Sequence, residues 1–394
     1  MARHEDLLPG GVRLSDVVTL GALAQRVPID VVRQVIASEG RSSKRVRSLP
    51  AEMTALYVVA LWLFRDVSYE EVLRCLLEGL RWLGTGPVTV ATKGAITQAR
   101  ERLGWEAMRA LYQRLASPLA SQNTRSAWYR KWRTVAVDGF TLDVCDTQDN
   151  ADAFGYPPAS RGSSAYPQIR CVGLCETGTH ALFAAQMGPY ATGEVTLAKD
   201  LLGELGPGML FLADRGFFGF EFWSLASATG ADLLFRCTKS QRLDVQERLP
   251  DGSFLSQIYP RKSKSRKDGD GTTVRVIEYS VSGSSEQYRL LTSILDPNQA
   301  PALELAALYC QRWEVEGAFD EIKTHLKGSK INLRSKTPDL VRQEFWGLML
   351  AHWALRGLIH DAALHHNKDP DEISFVHAVR VVKRTLPRAA TFSP

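Results

Sequence analysis

Two aspartates close short apolar runs. Asp138 follows Thr134-Val-Ala-Val and precedes Gly139, while Asp214 follows Leu210-Phe-Leu-Ala and precedes Arg215-Gly216. An acid at the C-terminal edge of a buried strand is where α/β sheets place reacting groups. Either one alone would read as an Asx turn or a helix cap. A third acid, Glu316, sits on a segment with helical spacing. At about 100° per residue, with Tyr309 at zero, Arg312 falls near 300°, Glu316 near 340° and Lys323 near 320°. Leu308, Val315, Ala318, Phe319, Ile322 and Leu326 form a separate apolar stripe, so such a helix packs on a sheet while its polar edge stays available.

Together the three acids suggest a hard divalent cation. Mg²⁺ (or Mn²⁺) takes oxygen ligands and keeps several waters, so a few carboxylates and substrate phosphate oxygens suffice and no His or Cys is required. Two such ions about 4 Å apart can activate an attacking oxygen and stabilise a leaving one during in-line phosphoryl displacement. Without a cation the converging charges would raise one another's pKa. Arg312 and Lys323 would hold phosphodiester oxygens and Tyr309 would hydrogen-bond or stack, with Arg215 beside Asp214 as a further phosphate contact. Asp320, one turn after Glu316, is the second choice for the third acid.

Tyr309-x2-Arg312-x3-Glu316-x6-Lys323, with Val-Asp138-Gly and Leu-Ala-Asp214-Arg-Gly-Phe upstream, resembles the YREK signature and aspartate contexts of the insertion-element-four-like DDE transposases. Leu49-Pro-Ala-Glu52, Leu63-Phe-Arg-Asp66 and Ile96-Thr-Gln-Ala-Arg-Glu-Arg-Leu103 are similar to that family's helical N-terminal region. The resemblance implies an RNase H-like core, with Asp138, Asp214 and Glu316 as the metal-holding catalytic acids. It also implies Tyr309, Arg312 and Lys323 on the terminal phosphates. The implied activity is cleavage at the ends of an insertion sequence and strand transfer into target DNA by a cut-and-paste route. The partners implied are double-stranded DNA and a second copy of the chain on paired ends. Members of this group can use a tryptophan in a β insertion to stack a flipped base; residues 224–312 contain none, leaving Tyr259 or Phe254 as substitutes. A nuclease that cuts without joining, and a catalytically silent DNA-binding derivative, are the competing readings.

The elements that must position these residues are legible as a change of texture. Three- and four-residue apolar spacings predict helices near 14–26, 30–39, 51–64, 68–81, 92–102 and 105–116. β-branched runs bounded by Gly, Pro and polar turns predict strands at Thr134–Asp138, Gln168–Glu176, Ala181–Ala185 and Met209–Asp214, with helices near 193–204 and 219–229 between the later ones. Strand-like stretches dominate from Asp232 to Leu295, and long helices follow near 301–327 and 339–363. The fold class expected is α/β: an RNase H-like mixed sheet with helices, interrupted by a β-rich insertion and preceded by an all-α N-terminal domain. The expected organisation is 1–125 helical and DNA-binding, 126–231 first part of the core, 232–296 insertion, 297–365 second part of the core and 366–394 a tail. Trp346 and Trp353 read as anchors for the sheet, and Asp143 and Glu176 as exposed strand-end acids.

Charge and composition agree. Residues 1–133 carry 20 Lys+Arg against 12 Asp+Glu, whereas the remainder carries 28 against 31. That N-terminal excess suits a polyanion. Arg41-Ser-Ser-Lys44-Arg45-Val-Arg47 is the first candidate for phosphate contact, with Lys44 and Arg45 at its centre. Arg261 to Lys267 has the composition of an exposed basic loop. The chain holds six scattered cysteines and no C-x-x-C pair, so neither a disulfide framework nor a zinc cluster is indicated and a reducing, cytoplasmic compartment is expected, to which the family resemblance adds a bacterial nucleoid-associated setting. The longest apolar run, Met53 to Phe64, is too short to span a bilayer.

Overall fold

A computed structural model describes residues 7–8, 12–13, 26–43, 49–80, 90–159, 162–260, 271–280, 287–326 and 332–385. Lys44, Arg45, residues 14–25 of the first expected helix and the Arg261–Lys267 loop lie outside the described residues. Contacts divide the chain into two compact units, each assembled from separated segments. One comprises Met1–Leu119, Leu142–Gln168 and Asp320–Pro394; the other comprises Ala120–Thr141 and Ile169–Phe319.

The first unit is helical: α1 (Ile29–Ser38), α2 (Ala51–Leu63), α3 (Tyr69–Leu80), α4 (Lys93–Leu115), α5 (Gln148–Phe154), α10 (Pro338–His365) and α11 (Phe375–Thr385). The two helices expected over 92–116 arrive as one kinked element, because Gly104 takes a φ of 75° that breaks the winding. Apolar on nearly every side, α2 is buried all round, as a helix of that pattern must be. Its Trp62 indole donates to Glu344 O at 3.0 Å on α10, and α10 in turn packs Trp346 against Tyr112 of α4 at 5.6 Å. Trp353 donates to Ser117 O at 2.9 Å. Trp346 and Trp353 therefore anchor the helical unit and not the sheet: spacing shows that a face is buried, but not which element buries it. No helix among the described residues is long and apolar enough to cross a membrane.

The second unit is built on a ten-stranded sheet. Its strands are β1 (Trp128–Tyr129), β2 (Trp132–Asp143), β3 (Gln168–Glu176), β4 (Ala181–Pro189), β5 (Met209–Ala213), β6 (Asp232–Arg236), β7 (Glu247–Arg248), β8 (Phe254–Ile258), β9 (Thr272–Ser280) and β10 (Gln287–Thr292). Their order is β7-β8-β9-β10-β6-β5-β2-β3-β4, with β1 paired to β2. β5 runs parallel to both β2 and β6, and β7 through β10 continue beyond β6 as an antiparallel meander. The β-rich stretch thus extends the same sheet instead of forming a layer of its own. Val135, Val137, Phe211, Ala213, Leu233 and Phe235 line one face and pack with Trp223 of α7 (Phe220–Ser227) and with Leu197 and Ala198 of α6 (Glu194–Lys199). Because strand side chains alternate, Asp138, Asp214 and Arg236 project to the other face.

Candidate active site

Pairing places the three at one level. Ala136 lies opposite Leu212, and Phe235 opposite Ala213. Continuing each register by one or two residues brings Asp138, Asp214 and Arg236 side by side across β2, β5 and β6. Asp214 ends its strand as expected, and its Oδ1 accepts the Gly216 amide at 2.7 Å. Asp138 does not, since β2 runs on to Asp143. Its Oδ1 accepts the Gly139 amide at 2.8 Å. A Cβ on Gly139 would fall 2.4 Å from Glu194 Cδ, so a larger residue behind Asp138 would have to displace the Glu194 side chain.

The covering helix is not the regular one that the spacing predicts. It comprises α8 (Ala302–Tyr309), a 3₁₀ turn (Cys310–Trp313), α9 (Glu314–Asp320) and a π turn (Glu321–Leu326). The 3₁₀ turn advances faster than 100° per residue and the π turn slower, so the two departures act in opposite senses along the helix. Tyr309, Arg312 and Glu316 do gather over Asp138 and Asp214. The apolar stripe is buried as expected, with Phe319 packed on Phe140 at 4.4 Å. Lys323 lies half-buried in the π turn, within the helical unit.

Arg312 is the hub. Its side chain is only 7% exposed; Nη1 donates to Asp138 Oδ2 at 2.9 Å and Nη2 to Glu316 Oε1 at 3.2 Å. Burial opposes its charge, but Tyr309, Asp138, Glu316 and Asp214 around it prevail and raise its pKa above the ordinary value. Burial also pushes the Asp138 carboxyl above the usual range and the charge of Asp214 adds to that, against the Gly139 amide and Arg312. Tyr309 is buried and donates its hydroxyl to Ala213 O at 3.2 Å, fixing the residue before Asp214.

Three anchors hold the helix in place. The Glu314 carboxylate accepts the Gly178 amide from the β3–β4 turn. Asp251, before β8, accepts the Ala302 amide at 2.8 Å, and fully buried Arg275 of β9 donates to Ala300 O at 2.7 Å and pairs with Asp251. The β meander therefore positions the start of the helix that carries Tyr309, Arg312 and Glu316.

The other sequence candidates fall as follows. Arg215 is exposed. Asp320 is exposed and accepts from the Thr324 hydroxyl. Asp143 accepts from Gln168 at 2.7 Å. Glu176 corrects the expectation of an exposed acid: it is fully buried, paired with Arg133 and bonded to the Ala120 amide at 2.8 Å. Phe254 is a core residue, whereas Tyr259 is half-buried with its hydroxyl bound to Gln257. Sequence reasoning passed over Arg236, a cation that ends the apolar run Leu233-Leu-Phe. It also passed over the Tyr279–Tyr288 pair, stacked at 5.4 Å with Arg236 Cζ 4.5 Å above the Tyr288 ring. The alternation in β9 and β10 was the available signal for that pair.

The residues present suit a divalent cation. The donors are all carboxylate oxygens, and a guanidinium already stands in as the cation between Asp138 and Glu316. Among the described residues no three Asp, Glu, His or Cys side chains converge as a finished metal cage. Substrate oxygens would complete one, as Mg²⁺ sites commonly require.

A mixed sheet with two aspartates level on neighbouring parallel strands, under a helix bringing a glutamate and an arginine, defines a phosphoryl-transfer core of the RNase H-like class. The chain belongs to the transposase DDE domain family, whose profile matches residues 130–354, and residues 17–113 match the insertion element 4 transposase N-terminal family. It is 29% identical over 380 residues to the transposase InsG for insertion sequence element IS4 of Escherichia coli (strain K12), a match covering 95% of this chain and 85% of that one. Its fold is similar to that of the piggyBac transposase in a cryo-EM synaptic complex with hairpin DNA, with a TM-score of 0.50 and 12% identity over 94% of this chain and 80% of that one. A DNA transposase of the DDE catalytic type follows, and enzymes of this type use divalent metal ions.

Proposed function

We propose that Asp138, Asp214 and Glu316 are the catalytic acids, that they hold two Mg²⁺ (or Mn²⁺) ions, and that the chain excises an insertion sequence and joins it to new DNA. When bound, the ions supply an activated attacking oxygen and stabilise the leaving one. The observation that carries this reading is the level placement of Asp138 and Asp214 beneath the Arg312–Glu316 pair. Arg312 has the forked donors that match a phosphodiester, and its buried Nε has no partner among the described residues. Lys323, Arg215, Lys44 and Arg45 are assigned to further phosphates. Tyr309 spends its hydroxyl on Ala213, so we give it the task of fixing Asp214. The organisation into 1–125, 126–231, 232–296, 297–365 and 366–394, a homodimer on paired ends and residence at the bacterial nucleoid belong to the same proposal.

The test is excision from a plasmid carrying the gene's native flanking DNA, comparing wild type with Glu316→Ala in Mg²⁺ and mapping every cut. Paired cuts at inverted ends, absent in the variant although end binding persists, are expected. Substantial cleavage by the variant would remove Glu316 from the acids, and cuts without any 3′ ends joined to new DNA would favour a nuclease.

A further inference from the structure

The helical unit contains a cavity of about 470 Å³ that the catalytic assignment does not use. Lys93, Arg334, Lys336 and Tyr69 line it, with the hydroxyls of Ser68 and Thr337. Lys93 Nζ stands 6.0 Å and Arg334 Cζ 4.6 Å from the centre of the Tyr69 ring, so one aromatic ring serves two cations. Glu70 and Glu101 also border the cavity, yet among the described residues neither they nor any other carboxylate pairs with Lys93, Arg334 or Lys336. Among the described residues the Arg334 side chain reaches a protein oxygen only at 3.5 Å, on Val67, and its buried Nε has no hydrogen-bond partner.

Lys93, Arg100, Arg334 and Lys336 outnumber the two lining carboxylates, so the concavity is net positive and suits an anion. The loop presenting two of them is rigidly built. The Glu344 carboxylate, itself 2% exposed, accepts the amides of Arg334 at 3.2 Å and Ser335 at 3.0 Å. Arg100, 4% exposed, donates to Ser335 Oγ at 3.0 Å and to Gln343 at 2.9 Å. A buried carboxylate and a buried guanidinium are thus committed to holding residues 334–336, while the cations beside them have no carboxylate partner among the described residues. Such pre-organisation is what a binding site requires and a solvated loop does not.

We infer that this cavity is a second DNA contact, separate from the catalytic acids, in which Lys93, Arg334 and Lys336 take phosphates of the duplex backbone and the Tyr69 ring backs the cations. The inference rests on the chain's being a DNA-binding transposase. It assigns sequence-independent grip to α4 and to the loop before α10.

Lys93 and Lys336 are exposed, so the full-length Lys93→Ala/Lys336→Ala variant should fold with an unchanged melting temperature. Binding to a generic duplex is measured across a salt series, with inorganic phosphate as competitor. Weaker binding at low salt and a log–log salt slope shallower by about two are expected, one for each cation removed. Arg33→Ala/Lys368→Ala, which removes two exposed cations elsewhere in the same unit, should leave the slope nearly unchanged. An unaltered slope in the first variant, or an equal loss in the second, overturns the inference while DNA binding stands. Phosphate that binds wild type but not the first variant, and leaves duplex binding untouched, would overturn it in favour of a free-anion site. A wild-type chain that binds no duplex at any salt would sink the DNA reading itself, and wild type and variants would then be indistinguishable.

Discussion

Arg312 holds two opposing roles at one atom set. In the free protein its fork neutralises Asp138 and Glu316, and in action the same fork is assigned to a phosphodiester. Lysine cannot bridge two carboxylates in this way, since it offers a point charge and not a planar fork. Arg312→Lys is therefore expected to fold yet lose at least tenfold in cleavage, and a variant with near-wild-type cleavage would show that charge alone suffices. Tyr309 makes a sharper case. Its hydroxyl supports Ala213, so Tyr309→Phe should cost about 1 kcal/mol in stability and slow cleavage, with duplex affinity unchanged. A fall in affinity with unchanged cleavage at saturating DNA would return the hydroxyl to the DNA. Asp214 and the Arg312–Glu316 pair could be singled out in the sequence because an acid after an apolar run and an i, i+4 spacing on a helix carry meaning before any pairing is known. Arg236 was not: one arginine after an apolar run carries no meaning until pairing sets it beside Asp214.

The elements repeat this lesson. Strand runs in the sequence appear as strands because β-branched runs between turn residues have few other options. The helix over 301–327 was legible as helical but not in its winding, because periodicity assumes the very pitch that the 3₁₀ and π turns change. Pairing of the β meander with the start of α8 could not be read either, since Asp251, Arg275 and Ala302 are remote in sequence. That contact makes a pH prediction. Burial raises the Asp251 pKa, but the Ser253 hydroxyl, the Ala302 and Ser253 amides and Arg275 outweigh it and leave the carboxyl below its usual range. A depressed folded pKa contributes stability that is present above the unfolded value and lost as pH falls through the folded one. Asp251→Asn should thus lower stability at neutral pH, by on the order of 3 kcal/mol because Arg275 stays buried without its partner. The gap to wild type should close as pH drops below the ordinary carboxylate range. Urea unfolding across pH checks this, and a gap that stays constant would exclude the ion pair as its source.

At the scale of the molecule, both compact units are discontinuous in sequence, so no cut along the chain separates them. Among the described residues one cluster joins two aspartates, a glutamate and an arginine, and an insertion sequence has two ends. One chain therefore brings one such cluster to a task that requires hydrolysis and joining at each end. Either a single cluster serves both ends in turn, or two chains each serve one. Mixing decides between them. If each chain serves its own end, complexes formed from wild type and Glu316→Ala should accumulate elements cut at one end only. That fraction should peak at equal proportions, where mixed pairs are most abundant. If one chain serves both ends in turn, mixing should lower the number of active complexes without producing single-end cuts, because every complex with a working chain would complete both. Mapping single-end and double-end products against the mixing ratio thus gives the number of chains per paired-end complex. Pre-cut ends carrying a free 3′-OH, tested in the same mixtures, show whether joining follows the same rule as cutting. Equal sensitivity of both steps to Glu316→Ala is expected if one set of acids performs them, and joining that survives the variant would require a second set.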